Sequence, residues 1–516
     1  MQEKPSSEDP SDSDNGILQP NVQDVEKAAP EKVASRTETR NTDAYLVQFD
    51  ANDPEDPYTW GPGKKVWLAF QLSVLAFVAS LASAITAPAQ PEIEQYTGVG
   101  PTVAVLPVSL YVLGFVFGPC VWGPASEVWG RRWSLIPAMF GLGLFSIGTA
   151  TSKNFASIAV TRFFSGFFGA GPVANVSAAL GDIYRPKFRG IAMSFYGVVV
   201  VGGPLLAPTI GSALIQNKHL GWRWTRYLIG ILSFADSALT FACMPEIYAP
   251  VLLKRKAQRL RKETGNESYW HPHESVKVDI KSIITKHFAR PLKMLLTEPI
   301  VTCIATYASF VFTVLYMTLQ IFPIVYEECR GWGPLVSTTP FLAMLTGVCS
   351  ALIVNLGNQP RYMRAVDAAG GKPVPEARLL PMSIGGTCFV IGLFVFAGTA
   401  PPHVPWPVSV VAAGLIGGGF TTVFQQCLNY LVDTYRLYAA SAVSSNTLLR
   451  SVFAAGLPLV VRPMINRLGI TGSMSLLGGI AALALPVPFV LMRYGLTIRK
   501  MSKFAPVAMG QINPSA

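Results

Sequence analysis

Roughly twenty residues at a time, this chain repeatedly carries little but apolar side chains. The runs lie at about 66–86, 102–122, 134–151, 155–176, 190–214 and 224–245, then at about 298–324, 336–356, 379–399, 404–430, 438–462 and 472–495. A helix rises 1.5 Å per residue, so about twenty residues cross the ~30 Å of bilayer hydrocarbon. Only 14% of the 516 residues are charged and 50% are apolar, with a mean hydropathy of +0.38. Soluble domains carry about 25% charged residues, so a soluble enzyme does not fit this balance. The expected fold class is an all-α integral membrane protein with twelve transmembrane helices in two six-helix halves.

Charge is distributed unevenly along the chain. Residues 1–60 hold 14 Asp/Glu and 5 Lys/Arg, a balance of −9, while the remainder holds 36 Lys/Arg and 16 Asp/Glu, a balance of +20. The first segment, 1–60, reads as a disordered acidic cytosolic tail with little to bury. It is followed by an N-terminal six-helix half (61–245), a basic cytosolic linker (246–297), a C-terminal six-helix half (298–497) and a short tail (498–516). Trp60 and Trp67 bracket Lys64 and Lys65 as an interfacial anchor.

The loop 87–101 has no Lys or Arg, whereas 123–133 has Arg131 and Arg132 and 177–189 has Arg185, Lys187 and Arg189. The positive-inside rule then places both termini in the cytosol. Lys218, Arg223, Arg226, Arg462 and Arg467 run against it, near expected outer ends. The linker stretch Val251–Lys262 is helix-compatible and strongly basic, and is expected on the cytosolic lipid surface. The basic surplus points to anionic lipid and not to nucleic acid.

Catalytic constellations are missing from the sequence. Of the five histidines only His271 and His273 group together, and His219, His287 and His403 stand alone, so a histidine-bound metal is not expected. No Gly-x-x-x-x-Gly-Lys-Ser/Thr loop cradles a nucleotide. Six cysteines fall inside apolar runs and Cys329 in a loop, which argues against a disulfide framework. Neither a catalytic residue nor a cofactor is expected.

What remains is a short charged stretch and a few polar groups inside the spans. Gly123-Pro124-Ala125-Ser126-Glu127-Val128-Trp129-Gly130-Arg131-Arg132 reads as a loop between the second and third runs, its glycines allowing a tight turn. Charges in mid-span are costly, about 2.5–3.5 kcal/mol each on insertion scales, and so face a partner or a cavity. Arg162, Asp236 and Arg450 are the candidates for a proton or substrate relay, the alternative being buried pairs or snorkelling side chains. Asn175, Tyr316, Gln320, Gln425, Gln426, Asn429, Tyr430 and Asn446 either line a mixed polar and aromatic cavity or glue helices together. In the fifth run Gly203, Pro204, Pro208 and Gly211 predict a flexible, closely packed helix.

Taken together these stretches resemble the major facilitator superfamily, and within it the twelve-span drug:proton antiporters of fungi. The stretch 123–132 is similar to Gly-x-x-x-Asp-x-x-Gly-Arg-Lys/Arg, with Glu127 in the Asp position. Thr161–Gly166 resembles the fourth-span Arg motif, with Ser165 where Gln is frequent, and Gly203-Pro204 with Gly211 resembles the fifth-span antiporter motif, with Ser212 for a glycine. Pro245–Leu253, Phe322–Tyr326, Asn429–Tyr435 and Ala439–Ala442 with Asn446 and Leu449–Ser451 look like further fungal motifs, so the resemblance covers about 45–500.

The resemblance implies that Gly123, Glu127, Gly130, Arg131 and Arg132, with Asp182 and Arg189, form a cytosolic gating network. It implies that Arg162 couples proton movement to conformation, and that the Gly203-Pro204 helix marks efflux. The implied function is proton-coupled export of small amphipathic organic molecules by a monomer in the plasma membrane, with the vacuolar membrane as the alternative site. A nutrient facilitator or importer on the same fold, and a non-transporting membrane sensor or membrane-bound enzyme, are the competing readings. The second half keeps no intact copy of 123–132, its counterpart Asn355–Arg378 holding only scattered glycines and basic residues, so the gating network is expected to be asymmetric.

Overall fold

The computed structural model describes residues 45–50, 52–217, 219–275, 285–370, 373–502 and 504. Expectations for residues 1–44, Lys218, 276–284 and 505–516 lie outside the described residues, as do the side chains of Lys187 and His287. Among the described residues the chain is helical, and its one β contact is a bridge between Leu46 and Trp270.

Six long helices come first: α1 (Pro62–Ala84), α2 (Leu106–Val128), α3 (Arg131–Ala150), α4 (Phe155–Ile183), α5 (Pro186–Gln216) and α6 (Arg223–Cys243). The linker contributes α7 (Ala249–Thr264). There follow α8 (Pro299–Pro323), α9 (Thr339–Ala368), α10 (Leu379–Thr399), α11 (Trp406–Tyr435), α12 (Ala439–Gly456), α13 (Val461–Ala484) and α14 (Pro486–Met501). Pro62, Pro299 and Pro486 each open a helix, where a missing N–H costs nothing. At the start of α4, Asn154 Oδ1 accepts from Ser157 N at 2.9 Å.

Eleven helical segments among the described residues are long and apolar enough to cross a membrane. The last of them, Ala439–Met501, runs for 63 residues. It is interrupted at Gly469, whose φ of 68° and ψ of 175° are not helical. That break falls between the expected runs 438–462 and 472–495. The molecule is apolar outside as well as inside: Phe70, Leu144, Ile353 and Leu483 are more than half exposed. In water such a surface is a liability, whereas in hydrocarbon it is the solvent-facing side.

Within α1–α6 the main packing is α2 on α4, α3 on α4 and α6, and α1 on α5 and α4. Within α8–α14 it is α10 on α11 and α13, α9 on α11, and α8 on α12. The two groups meet where α2 packs on α12 and α5 on α9.

Pro204 and Pro208 lie inside an uninterrupted α5, and the neighbouring glycines account for its close packing. A Cβ at Gly203 would lie 2.7 Å from Ser80 Cβ, and one at Gly211 2.5 Å from the Ile85 carbonyl oxygen, so only glycine lets α5 lie against α1 here.

Two expectations are corrected. The stretch 123–132 is not a loop: Gly123–Val128 completes α2, Arg131 opens α3, and only Trp129 and Gly130 connect them. A Cβ at Gly123 would meet open space, so Gly130 alone makes the turn, at φ 97°. Nor is the whole of 1–60 a loose tail. Residues 45–60 fold onto the linker, burying Val47, Asp53 and Pro57, because their carboxylates find basic partners that composition cannot show.

Candidate functional site

At the linker end of the bundle, Arg131 is nearly buried and ties three segments together. Its Nε donates to Asp182 Oδ2 at 2.8 Å, and its Nη1 to Ser126 Oγ at 2.6 Å. Its backbone N–H donates to Glu246 Oε1 at 2.9 Å, and the same oxygen accepts from Ile247 N and Tyr248 N at 3.0 Å each. Glu246 thus places a carboxylate at the N-terminus of α3, where backbone N–H groups lack partners and the helix dipole is positive. That carboxylate occupies the space a Cβ at Gly130 would need, which is why the turn takes glycine. The Tyr248 ring lies 4.6 Å from the Arg131 guanidinium. Arg132 reaches the other way, donating from Nη2 to the Phe241 carbonyl at 2.5 Å.

The expected membership of this network changes accordingly. Asp182 is in it, and Arg189 lies over Gly181 beside it. Glu127 is exposed and belongs to none of the ion pairs among the described residues. It lies on the last turn of α2, within electrostatic reach of Asp182 and Tyr248. Glu246 and Ser126 take its place, although the sequence offered Pro245-Glu246 only as a resemblance.

A second network of the same design sits in the second group, contrary to the expected asymmetry. Arg378, immediately before α10, donates from Nε to Asp433 Oδ2 at 3.1 Å, and Asp433 lies near the end of α11. Arg131 and Asp182 hold corresponding places, at the start of α3 and near the end of α4. Tyr362 Oη also donates to Asp433 Oδ2, at 2.9 Å, and its ring lies 3.5 Å from the Arg378 guanidinium. Arg499 of α14 pairs with Glu376 beside them. The sequence hides this copy because neither Arg378 nor Asp433 lies in an intact counterpart of 123–132, and nothing local records their pairing.

The linker helix is held by the segment before α1. Lys256 Nζ bonds Asp53 Oδ2 at 2.7 Å and Asp50 Oδ2 at 3.0 Å, Arg259 pairs with Glu55 at 2.6 Å, and Arg261 pairs with Glu274. Trp270 makes strand-like backbone bonds on either side of Leu46, accepting from Val47 N at 3.1 Å and donating to Tyr45 O at 3.2 Å. Three basic side chains expected at the lipid surface therefore have carboxylate partners in the chain itself, whereas Arg255 and Lys262 remain exposed. The Lys256 ammonium holds the Asp53 carboxyl below its ordinary value. Burial, with His273 adding to it, pushes the His271 imidazole down to about 4. Tyr58 Oη carries this strap to the network, donating to the Gly181 carbonyl at 3.3 Å.

At the opposite end, Arg162 is fully buried and surrounded by carbonyls. Its Nε donates to Pro107 O at 2.7 Å, Nη1 to Ala82 O at 3.0 Å and Nη2 to Ser83 O at 3.1 Å, with the Tyr111 ring 4.6 Å away. Arg226, equally buried, donates to Ala82 O at 3.3 Å and to Thr86 Oγ1 at 2.9 Å. Both guanidiniums therefore cap the C-terminal carbonyls of α1, which have no helical partners.

Asp236 is half-buried on α6, with Oδ2 covered and without a hydrogen-bond partner among the described residues. Its helix packs on α3 and α1. The structure forms no ion pair between it and either Arg162 or Arg450 among the described residues.

Between the two ends, side chains from both groups converge. Tyr316 of α8 donates to Ser83 Oγ of α1 at 3.1 Å, and half-buried Gln320 follows one turn later. Asn355 of α9 bridges α11, donating to Gln425 Oε1 at 2.6 Å and accepting from Gln426 Nε2 at 2.7 Å, with Asn429 next in line. Gln425 Nε2 lies against Gly197 of α5 and has no partner among the described residues. Arg450 of α12 lies 4.7 Å from the Phe312 ring and 5.1 Å from the Phe424 ring, and Asn446 is fully buried one turn earlier. Asn355, Phe312 and Phe424 were not singled out in the sequence, where nothing distinguishes them from other span residues.

Two expected cavity residues lie elsewhere. Asn175 donates to Trp122 O and Ser134 Oγ at 3.0 and 3.1 Å, joining α4 to α2 and α3. Tyr430 is buried with its hydroxyl against Gly495 and near Glu376, at the linker end.

Comparison with known proteins agrees with this arrangement. A Major Facilitator Superfamily model matches residues 72–458. The chain is 39% identical over 466 residues to a Major facilitator superfamily multidrug transporter, FLU1, of Candida albicans, covering 90% of this chain and 76% of that protein. It is 40% identical over 463 residues to the efflux pump bik6 of Gibberella fujikuroi, covering 89% and 95%. It is also 39% identical over 466 residues to the multidrug transporter TPO1_2 of Candida glabrata, covering 89% and 80%. With the family matched over most of its length, the chain belongs to the Major Facilitator Superfamily and is a multi-pass membrane transporter, not an enzyme.

Proposed function

We propose that this protein is a proton-driven exporter of small amphipathic organic molecules, working by alternating access in the plasma membrane with both termini in the cytosol. The observation that carries the reading is the polar and aromatic cluster of Tyr316, Gln425, Asn446 and Arg450 on α8, α11 and α12, which meets Ser83 of α1 and Gly197 of α5 from the other packing group. A site shared between groups is exposed to one side or the other as they rock. The names of the relatives, multidrug transporter and efflux pump, favour the outward direction.

Twelve spans in two six-helix halves suit the fold best. A segment of 63 residues would span about 95 Å as a single helix, some three hydrocarbon thicknesses. Reading two crossings on either side of Gly469 supports halves 61–245 and 298–497, joined by the linker 246–297. The paired networks, Arg131–Asp182 and Arg378–Asp433, support the same division and act in it as cytosolic gates. Arg255 and Lys262 supply what lipid contact the linker makes.

A membrane potential contributes about 2.3 kcal/mol per charge per 100 mV, enough for roughly 50-fold accumulation per proton at one-to-one exchange. The test is transport of a fluorescent amphipathic dye by purified protein in proteoliposomes under an imposed pH gradient. Movement against the dye gradient that stops when an ionophore collapses the pH gradient is the expected result. Unchanged movement would remove proton coupling, and no movement for a broad dye panel would remove export.

A further inference from the structure

The surroundings of Arg450 carry information about cargo charge. We infer that its guanidinium is the subsite for an anionic group, the carboxylate or phenolate of an aromatic cargo. The inference rests on the export reading and adds the chemical class of what is exported.

Three guanidiniums lie within the spans on the interior side, and they are treated differently. Arg162 spends all three of its nitrogens on carbonyls, and Arg226 donates from both Nη atoms to Ala82 O and Thr86 Oγ1, although its Nε has no partner among the described residues; Arg450 makes no hydrogen bond to an oxygen among them. Arg450 has the rings of Phe312 and Phe424 beside it and no ion pair among the described residues. Its Nε is covered and has no hydrogen-bond partner among the described residues, while the side chain as a whole keeps part of its surface exposed. Rings attract a cation through their quadrupole but give its N–H groups no oxygen. A guanidinium in that position remains a fork of unused donors, the geometry that carboxylates match with two parallel bonds.

The neighbours fit the rest of such a molecule. Phe312 keeps part of its ring exposed for an aromatic body, while buried Phe424 stacks on Phe420 behind it. Fully buried Asn446 leaves both ends of its amide without partners among the described residues, and Gln425 leaves Nε2. Buried amides left open in this way cost free energy unless a ligand or water completes them. Tyr316 and Tyr196 lie within electrostatic reach of the guanidinium and bring hydroxyls from α8 and α5.

The sign of the field points the same way. Among the described span residues, Arg162, Arg226 and Arg450 stand against Asp236 on α6, which packs on α3 and α1, and Glu327, which lies beyond the end of α8 and is bonded by Ser337. A cation brought to Phe312 and Phe424 would meet an uncompensated positive charge, an anion a complementary one.

Three probes with one ring system decide the matter: 4-(1-pyrenyl)butyric acid, its primary amide and 4-(1-pyrenyl)butylamine. Binding is measured on the purified full chain, and export in proteoliposomes under a pH gradient. We expect the acid to bind about tenfold or more tighter than the amide, with the amine weakest. Arg450→Gln should erase that preference, and Arg450→Lys should keep part of it. Equal binding of acid and amide, or an Arg450→Gln protein with the full preference, would overturn the inference. Should Arg450→Gln fail to yield monodisperse protein, the wild-type comparison still decides. Gradient-driven export of the amine without any preference for the acid would leave the export reading standing and remove this one. A clear acid preference in binding with no export of any probe would do the reverse.

Discussion

Four arginines at the end of the bundle away from the linker do one chemical job. Arg162 and Arg226 cap α1, Arg223 donates to the Ala150 carbonyl at the end of α3, and Arg330 donates to the Thr399 and Pro401 carbonyls at the end of α10. Each helix ends in carbonyls that nothing else in hydrocarbon would satisfy. Arg223 and Arg226 look like exceptions to the positive-inside pattern because that pattern counts charges without asking what holds them. Arg162→Leu should therefore cost stability, about 1–3 kcal/mol for each buried carbonyl left without its donor, read as a fall in melting temperature before any transport is measured. An Arg162→Leu protein as stable as wild type would leave capping unsupported. At the linker end, Asp182→Asn or Glu246→Gln should slow transport about tenfold or more at equal surface abundance, whereas Glu127→Gln should stay within about twofold. A severe Glu127→Gln defect would return that residue to the gate.

On the scale of elements, the strap before α1 joins the linker helix α7 to the Arg131–Asp182 network. Lys256 sits in the middle, with Asp53 and Asp50 on one side of the contact. Lys256→Glu should release the strap, seen as faster amide hydrogen exchange across 45–56, and adding Asp53→Lys should restore much of the protection. A double variant no better than the single one would mean that the pair is not what holds the strap.

The pH dependence has a definite sign. The Asp53 pKa is lowered in the fold, so its contribution is present above the ordinary value of about 4 and is lost only as pH falls below that. His271, pushed down to about 4, stays neutral over the same range. Strap protection should accordingly be flat between pH 5.5 and 7.5, and a loss of protection near pH 6.5 would contradict this assignment.

For the molecule as a whole, the contact of Tyr316 with Ser83 crosses from one packing group to the other beside the last turn of α1. If the groups rock, that contact must open once per cycle. The seven cysteines are first replaced, and Ser83→Cys with Tyr316→Cys is then joined by a short bifunctional thiol reagent. Transport should stop on joining and return on reduction. Undiminished transport by a fully joined protein would exclude a rocking motion about this contact.

The sequence by itself determined what is set by local chemistry. Twenty-residue apolar runs have one stable form in hydrocarbon, so the helices and most of their limits follow from composition alone. Arg162, Asp236 and Arg450 were legible because a charge inside such a run is expensive enough to need a reason, whereas Arg131 and Asp182 stood together only through the family resemblance. What the tertiary structure decided is pairing. Glu246 rather than Glu127 serves Arg131, Asp433 completes a second network with Arg378, and the acidic strap claims the basic face of the linker. The cavity candidates divided for the same reason: Asn175 is helix glue and Asn446 is not, although both are asparagines in apolar helices. A donor and its acceptor are often dozens or hundreds of residues apart, and nothing in either one's neighbourhood along the chain records which partner the packing will bring.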